Sequence, residues 1–485
     1  MLKSKSMNVS KESNSSKYFK RLQFPDAYTL RNEMNTGELS ATQLIKDSLT
    51  RIKNSHKKIN AAVHVFEKQA TQEAKTPKKG PLAGIPISLK EIIANVGTVI
   101  TAGSYIYQEH TPTEDAPLVK NLKEAGAIII AKGNIPEFSM SHETYNLRFG
   151  RTNNPYDTSK TAGGSTGGDA ALVATGGSVI GIGTDLGGSS RYPAHCCGLV
   201  GFKPVAETIS KEGVYPTIEE SFLQSMFSVG PITRSVRDAQ LATEIMAGKA
   251  FPRKSNTAKG RLIIPQQFEM VIKDQNIQDA LVASENYLAT EGFQIVHQQM
   301  KDIPAIYQSF VKILMGHTFG RPNRAPSKTP NGEKFTLLNE TVRQLKGKPM
   351  VWPTLYFAFL GIPFIKPSAK QLIQEETKVI ALRKKYNDIL GDDGIVLLPT
   401  SGTVALKHGA ASKHDFFTLI PKLFTPMIFG NVLNLASITV PAWNFRDTAT
   451  GLPASVMLTT KAGNEDLLFE TAKLLEVTWA QTKYS

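Results

Sequence analysis

Two serines and a lysine are the residues whose types and setting could do chemistry. Ser165 stands in Gly163-Gly164-Ser165-Thr166-Gly167-Gly168 and Ser189 in Gly187-Gly188-Ser189-Ser190, two glycine-bracketed turns. Glycine serves where backbone must take φ > 0 or approach another group closely, so hydroxyls and N–H groups in such turns stay accessible. A serine hydroxyl is a weak nucleophile until a base takes its proton and N–H donors meet the oxyanion that forms. Leu186, Gly187, Gly188 and the N–H of Ser189 itself are spaced to converge on such an oxygen. Lys90 closes an apolar run, Gly84-Ile-Pro-Ile-Ser-Leu-Lys-Glu91, where a buried ammonium is costly. The ordinary resolution is a strand-end lysine that reaches solvent.

The elements that must position these groups follow from the pattern. Asp169-Ala-Ala-Leu-Val-Ala174 has good helix formers with an acid at its start. Ser178-Val-Ile-Gly-Ile-Gly183 reads as a short buried strand. Turn, helix, strand and turn in succession bring the two serines towards each other. Upstream, Tyr28–Met34 is amphipathic, Ser40 caps a helix over Ala41–Ile52, and Ile59–Phe66 alternates like a strand, with His64 a packed strand residue. Ala116–Ala125 reads as a helix and Ala127–Ala131 as a buried strand; residues 261–300 have a βαβ pattern, and Asp392–Thr400 returns as a core strand. The fold class expected is α/β, a twisted mixed, mostly parallel sheet with helices on both faces and the site at strand ends. Residues 1–22 are expected to be a disordered polar tail, and 23–485 one domain with a divergent helical segment around 251–390.

Composition bounds the function. A chain of 485 residues with 41% hydrophobic and 20% charged residues is globular. The net charge of +14 favours anionic partners but is spread along the chain, which reads as a solvated basic surface. The two cysteines, Cys196 and Cys197, are adjacent and offer no disulfide framework, which fits reduced thiols and cytoplasmic residence. No zinc-ligand spacing is present. The longest apolar stretch, Val351–Ile365, is too short to span a bilayer and is broken by Pro353 and Pro363.

Residues 163–204 resemble the signature of the amidase signature family, close to GGSSGG…GIGTDxGGSxRxPAxxCGxxGxKP, and Gly84–Glu91 resembles its lysine segment. The separations of Lys90, Ser165 and Ser189 fit the family. The resemblance runs from about Asp26 to Glu476, with a divergent middle; Glu207-Thr208 replace the usual Gly-Arg. It implies an amidase that works without metal or cofactor, with Ser189 as nucleophile, Ser165 on a cis peptide after Gly164 as proton relay, and Lys90 as a neutral base. It also implies an acyl-enzyme, an oxyanion hole at Leu186, Gly187 and Gly188, and Asp185 and Arg191 as residues that hold the loop. The Gly133–Ser141 and Tyr145–Asp157 segments resemble family segments that line the site, which makes Met140 a substrate-lining candidate. Nothing in the family makes His142 a base. Within the family, FGRTNNPYD, SKEGVYPTIEESFLQSMFSVGPITR and Leu390–Pro399 look most like the fatty acid amide hydrolase 2 type. Val351–Ile365 and Phe416–Phe429 would then line a hydrophobic acyl pocket, or else be ordinary buried elements. The partner expected is a small-molecule amide, with peripheral membrane contact and a homodimer left open.

Three alternatives stand beside this one. A glutamyl-tRNA amidotransferase A subunit would explain the basic charge and bring nucleic acid and partner subunits, but its glutamine-binding middle segment has no clear match. A silent binding protein would be free to lose any of the three residues, and all are kept. Gly163-Gly-Ser165-Thr-Gly167 also fits the nucleophile elbow of α/β-hydrolases, which must follow a strand directly; the preceding Asp157–Ala162 is polar and loop-like.

Overall fold

The computed structural model describes residues 24–107, 109–252, 259–266, 272–318, 335–410, 419–448 and 450–480. The tail expected at 1–22 lies outside them. Thirteen strands are present among the described residues: β1 (Ala62–Val65), β2 (Pro86–Lys90), β3 (Ile128–Gly133), β4 (Tyr145–Asn146), β5 (Gly150–Arg151), β6 (Ile180–Asp185), β7 (Val200–Lys203), β8 (Ser228–Thr233), β9 (Arg261–Gln266), β10 (Gln294–Gln299), β11 (Gly394–Pro399), β12 (Ala436–Arg446) and β13 (Pro453–Thr460). All but the β4–β5 pair join one sheet in the order β1-β3-β2-β6-β8-β7-β12-β13-β11-β9-β10. The sheet is mixed. Two parallel runs, β3-β2-β6 and β11-β9-β10, are joined through antiparallel β8, β7, β12 and β13.

Alternation along the strands sends side chains to two covered faces. Ile395 and Leu397 of β11, with Val456 and Leu458 of β13, pack under helices Val236–Ala247, Gln275–Thr290 and Glu465–Ala480. Val396, Leu398 and Met457, one residue out of phase, face helices Ile303–Thr318, Ala369–Leu390 and Leu419–Val432. Both faces are therefore buried, as an α/β sheet requires.

Local signals set the helix ends. The Ser40 hydroxyl accepts from Gln43 N at 3.1 Å and starts helix Ala41–Ile59. That helix runs past Ile52 because Asn60, at φ +52°, ends it; the strand expected from Ile59 begins at Ala62. Residues 251–390 hold β9 and β10 at the sheet edge as well as helices. Val351–Ile365 becomes helix Pro353–Ile365, while Phe416 to Thr418 of the second apolar stretch lie outside the described residues. No helix among the described residues is long and apolar enough to cross a membrane.

Candidate active site

The two parallel strands β2 and β6 lie side by side, Ile87–Leu89 pairing with Ile180–Ile182, and β6 runs on to Asp185 past the end of β2 at Lys90. Lys90 is the last residue of β2 and is fully buried. It does not reach solvent. Its Nζ lies 2.6 Å from Ser165 Oγ and 2.7 Å from Thr184 Oγ1. Burial pushes its ammonium down to about 7, against the pull of Asp169, Asp185 and Glu91. Ser165 is buried in the turn before helix Gly167–Ala174, and the Gly164–Ser165 peptide is cis. A methyl group on Gly164 would sit 2.5 Å from the Ser141 carbonyl oxygen, so only glycine fits there. The residues ahead of Ser165 form turns and isolated bridges rather than a strand, so the elbow arrangement is not built.

Ser189 is half-buried in the turn after β6. Thr166 N–H donates to its carbonyl at 3.1 Å, tying the second serine turn to the first through backbone. Lys90 is bonded to Ser165 and not to Ser189. Asp185 and Arg191, both fully buried, form a bidentate pair at 3.0 Å and 3.0 Å. Asn431 completes it, accepting from Arg191 Nη2 at 2.6 Å and donating to Asp185 Oδ1 at 3.0 Å. Burial works to raise the Asp185 carboxyl, but the Arg191 guanidinium holds it well below the usual range. Asp185 also accepts from Gly188 N at 2.8 Å and Ser190 N at 3.2 Å. Of the amides expected at an oxyanion, that of Gly188 is thus taken by Asp185; those of Leu186, Gly187 and Ser189 remain.

Apolar side chains close over this loop. A methyl group on Gly188 would meet Met427 Sδ at 2.6 Å, and one on Gly187 would meet Phe310 Cζ at 3.2 Å and Ile428 Cγ1 at 3.8 Å. These come from helices Ile303–Thr318 and Leu419–Val432. Met140, half-buried, packs against the cluster of Ile106, Phe335, Val351, Leu355 and Tyr356 and immediately precedes the Ser141–Glu143 backbone that abuts Gly164. Sequence reasoning missed three groups here. Thr184 shares Lys90 Nζ and was legible as the hydroxyl residue that alternation puts two positions beyond Ile182. Asn431 is far away in sequence and had no signal. Asp169 was read as a helix-start acid, yet it is fully buried, and burial raises its carboxyl to about 7, partly offset by Lys132 and Lys90. Cys196 and Cys197 are buried free thiols. No cluster of His, Cys, Asp and Glu suited to a metal ion occurs among the described residues.

Comparison with known proteins bears on the family and the fold. A family model described as Amidase matches residues 43–469. The glutamyl-tRNA(Gln) amidotransferase A subunit of Pseudothermotoga lettingae is 41% identical over 468 residues, 92% of this chain and 94% of that protein. That of Nitratidesulfovibrio vulgaris is 38% identical over 225 residues, so there the match spans only 45% of each chain. A solved structure described as an amidase superposes with a TM-score of 0.78 at 25% identity, covering 94% of this chain and 100% of that one. The expected nearness to the fatty acid amide hydrolase 2 type finds no support in these relatives, both of which come from amidotransferases. Two of the three short stretches that suggested it flank the shared motif, and the third is largely the buried strand β11, so none of them supplies the apolar side chains that meet Gly187 and Gly188.

Proposed function

The chain belongs to the amidase signature family and is an amide-hydrolysing enzyme; within that frame we propose that it works through Ser189, Ser165 and Lys90. The observation that carries the reading is the 2.6 Å contact between buried Lys90 Nζ and Ser165 Oγ. A neutral amine has one lone pair and two N–H groups, so it accepts the Ser165 proton while donating to Thr184 Oγ1. Ser189 Oγ attacks the amide carbonyl as its proton passes to Ser165 Oγ and that of Ser165 to Lys90 Nζ. The new C–O bond puts the carbonyl electron pair on oxygen, where the N–H groups of Leu186, Gly187 and Ser189 receive it. Collapse expels the amine, which takes the proton back along the same relay and leaves an ester on Ser189. Water then repeats the steps to release the acid.

For the substrate, the names of the relatives favour glutamine and an amidotransferase A subunit, which would act with partner subunits. A second reading rests on Phe310, Met427 and Ile428, apolar walls that suit a hydrophobic acyl group. Assaying purified protein on free glutamine beside acetyl, hexanoyl and decanoyl amides of one amine separates them. Under the second reading kcat/KM rises with chain length, by up to about fourfold per buried methylene. Glutamine turnover with no gain from acetyl to decanoyl supports the first. In either case Ser189→Ala abolishes turnover, and a fluorophosphonate labels Ser189; labelling at Ser165 instead would sink the mechanism.

A further inference from the structure

We infer that His142 is a positioning residue that fixes the oxyanion donors by clamping the Gly187–Gly188 peptide. The inference rests on the serine mechanism above. A trans peptide points its C=O and N–H in opposite directions. Here both ends are held. The Gly187 carbonyl lies 3.0 Å from His142 Nε2, and Gly188 N–H donates to Asp185 Oδ1 at 2.8 Å. Between two glycines this plane would otherwise turn cheaply, since neither residue has a Cβ to restrict it. The neighbouring planes carry the Gly187 and Ser189 N–H groups, so their direction depends on it.

The imidazole is itself held in place. It stacks on Phe424 with ring centres 4.0 Å apart and 14° between planes, and meets Tyr192 edge-on at 5.9 Å. Phe424 lies one turn before Met427 and Ile428, so one helix braces the ring and covers the loop. Only a protonated ring nitrogen can bond a carbonyl, which assigns the proton to Nε2 in the neutral ring. Burial holds the imidazole below its ordinary value, with the Gly187 carbonyl and Asp185 pulling the other way, so the neutral form is the working one. The His142 backbone meanwhile abuts Gly164, beside the first serine. His142 thus touches both serine turns, one through its backbone and the other through its ring. Its Nε2 proton is committed to the loop, which is why it serves as a brace and not as the base.

Two substitutions separate donor from ring. His142→Phe keeps the stack on Phe424 and loses the N–H; His142→Gln keeps an N–H at similar reach. Because oxyanion contacts form only in the transition state, the loss belongs in kcat. His142→Phe should lower kcat by roughly tenfold to a hundredfold, the range for a misplaced rather than deleted donor, with KM within about threefold. His142→Gln should recover most of it. Hydrogen exchange of the peptide spanning 186–191 gives a readout independent of catalysis: faster in His142→Phe, and near wild type in His142→Gln. Unchanged kcat and exchange in His142→Phe would overturn the clamp, as would His142→Gln failing as badly as His142→Phe. If Ser189→Ala stays active while exchange responds as expected, the serine mechanism fails and the clamp stands.

Discussion

Lys90 and Lys203 are both fully buried on the same sheet, and burial pushes each down to about 7. Their partners differ in kind. Lys203 Nζ donates to two backbone carbonyls, Pro204 O at 3.1 Å and Leu435 O at 3.0 Å. Lys90 Nζ meets two hydroxyls, Ser165 and Thr184. A carbonyl has no proton to surrender, whereas a hydroxyl has one. Lys132, buried and lowered to about 8, also bonds a carbonyl, that of Ile93. A depressed lysine is therefore a statement about burial, and the chemistry of its partner decides whether it can be a base.

The largest effect should break the symmetry between the two lysines. Lys90→Ala should lower kcat by about 10⁴-fold, the upper range for a lost general base. Lys203→Met should leave kcat/KM within about threefold and lower stability by about 1–3 kcal/mol, since two buried carbonyls lose their donor. The pH profile sharpens the contrast. Below about 7 Lys90 holds a proton and has no lone pair to offer, so kcat/KM should climb through about pH 7 and level off above it. Lys90→Ala should remove that limb and Lys203→Met should keep it. A limb that moves in Lys203→Met would mean that Lys203, at the end of β7, is coupled to the chemistry.

The next contrast is between a cation left without a carboxylate in contact and one given a full set. Arg191 has Asp185 and Asn431 around it, all fully buried. Breaking such a pair strands a charge and costs about 3–5 kcal/mol. Asp185→Asn should lose that much in urea unfolding at pH 7. The folded carboxyl lies below its unfolded value, so its contribution is complete above about pH 4 and fades as pH falls through the folded value. The gap between wild type and variant should accordingly narrow in acid. It should also slow turnover, because Asp185 holds Gly188 N–H.

What was legible in the sequence was what is local. Glycine turns, the strand ending in Lys90, the Ser40 cap and the apolar run of β11 depend on neighbours in the chain. Their period or turn chemistry survives in the string of residues. What was not legible is what the sheet brings together. Asn431 meets Arg191 because the fold brings the end of helix Leu419–Val432 against the turn that follows β6, a juxtaposition across some 240 residues that no local pattern encodes. The Asp185 grip on Gly188 N–H is likewise a matter of one peptide's orientation, so four candidate donors became three. His142 was visible as a titratable residue beside the motif, but its tautomer follows from the Gly187 carbonyl it meets in space. Of the two helices walling the site, Ile303–Thr318 comes from the divergent 251–390 segment and Leu419–Val432 from beyond it, and it is packing that brings them together.

The smallest effect tests whether burial is what makes the Asp185–Arg191 pair strong. Asp26 pairs with Arg237 at 2.6 Å and 2.8 Å, geometry as good as the buried pair, but the Arg237 side chain is 44% exposed. Asp26 also caps helix Ala27–Thr36 by accepting from Thr29 N at 3.0 Å. Burial works to raise its carboxyl, yet Arg237 and the Thr29 contacts bring it down to about 2. Its contribution should be full above about pH 4 and vanish towards pH 2. A lost cap costs about 1 kcal/mol, and an exposed pair adds at most about 1 more. Asp26→Ala should therefore lose about 1–2 kcal/mol at pH 7, and Asp26→Asn, which can still cap, less than half of that. Asp238 bonds Ala27 N and Tyr28 N at the same helix start, and burial together with Asp26 raises it to about 6. Removing Asp26 should let Asp238 fall, which returns part of the loss above pH 6 and keeps the net effect small. A deficit as large as that of Asp185→Asn would show that geometry alone, without burial, makes these pairs strong.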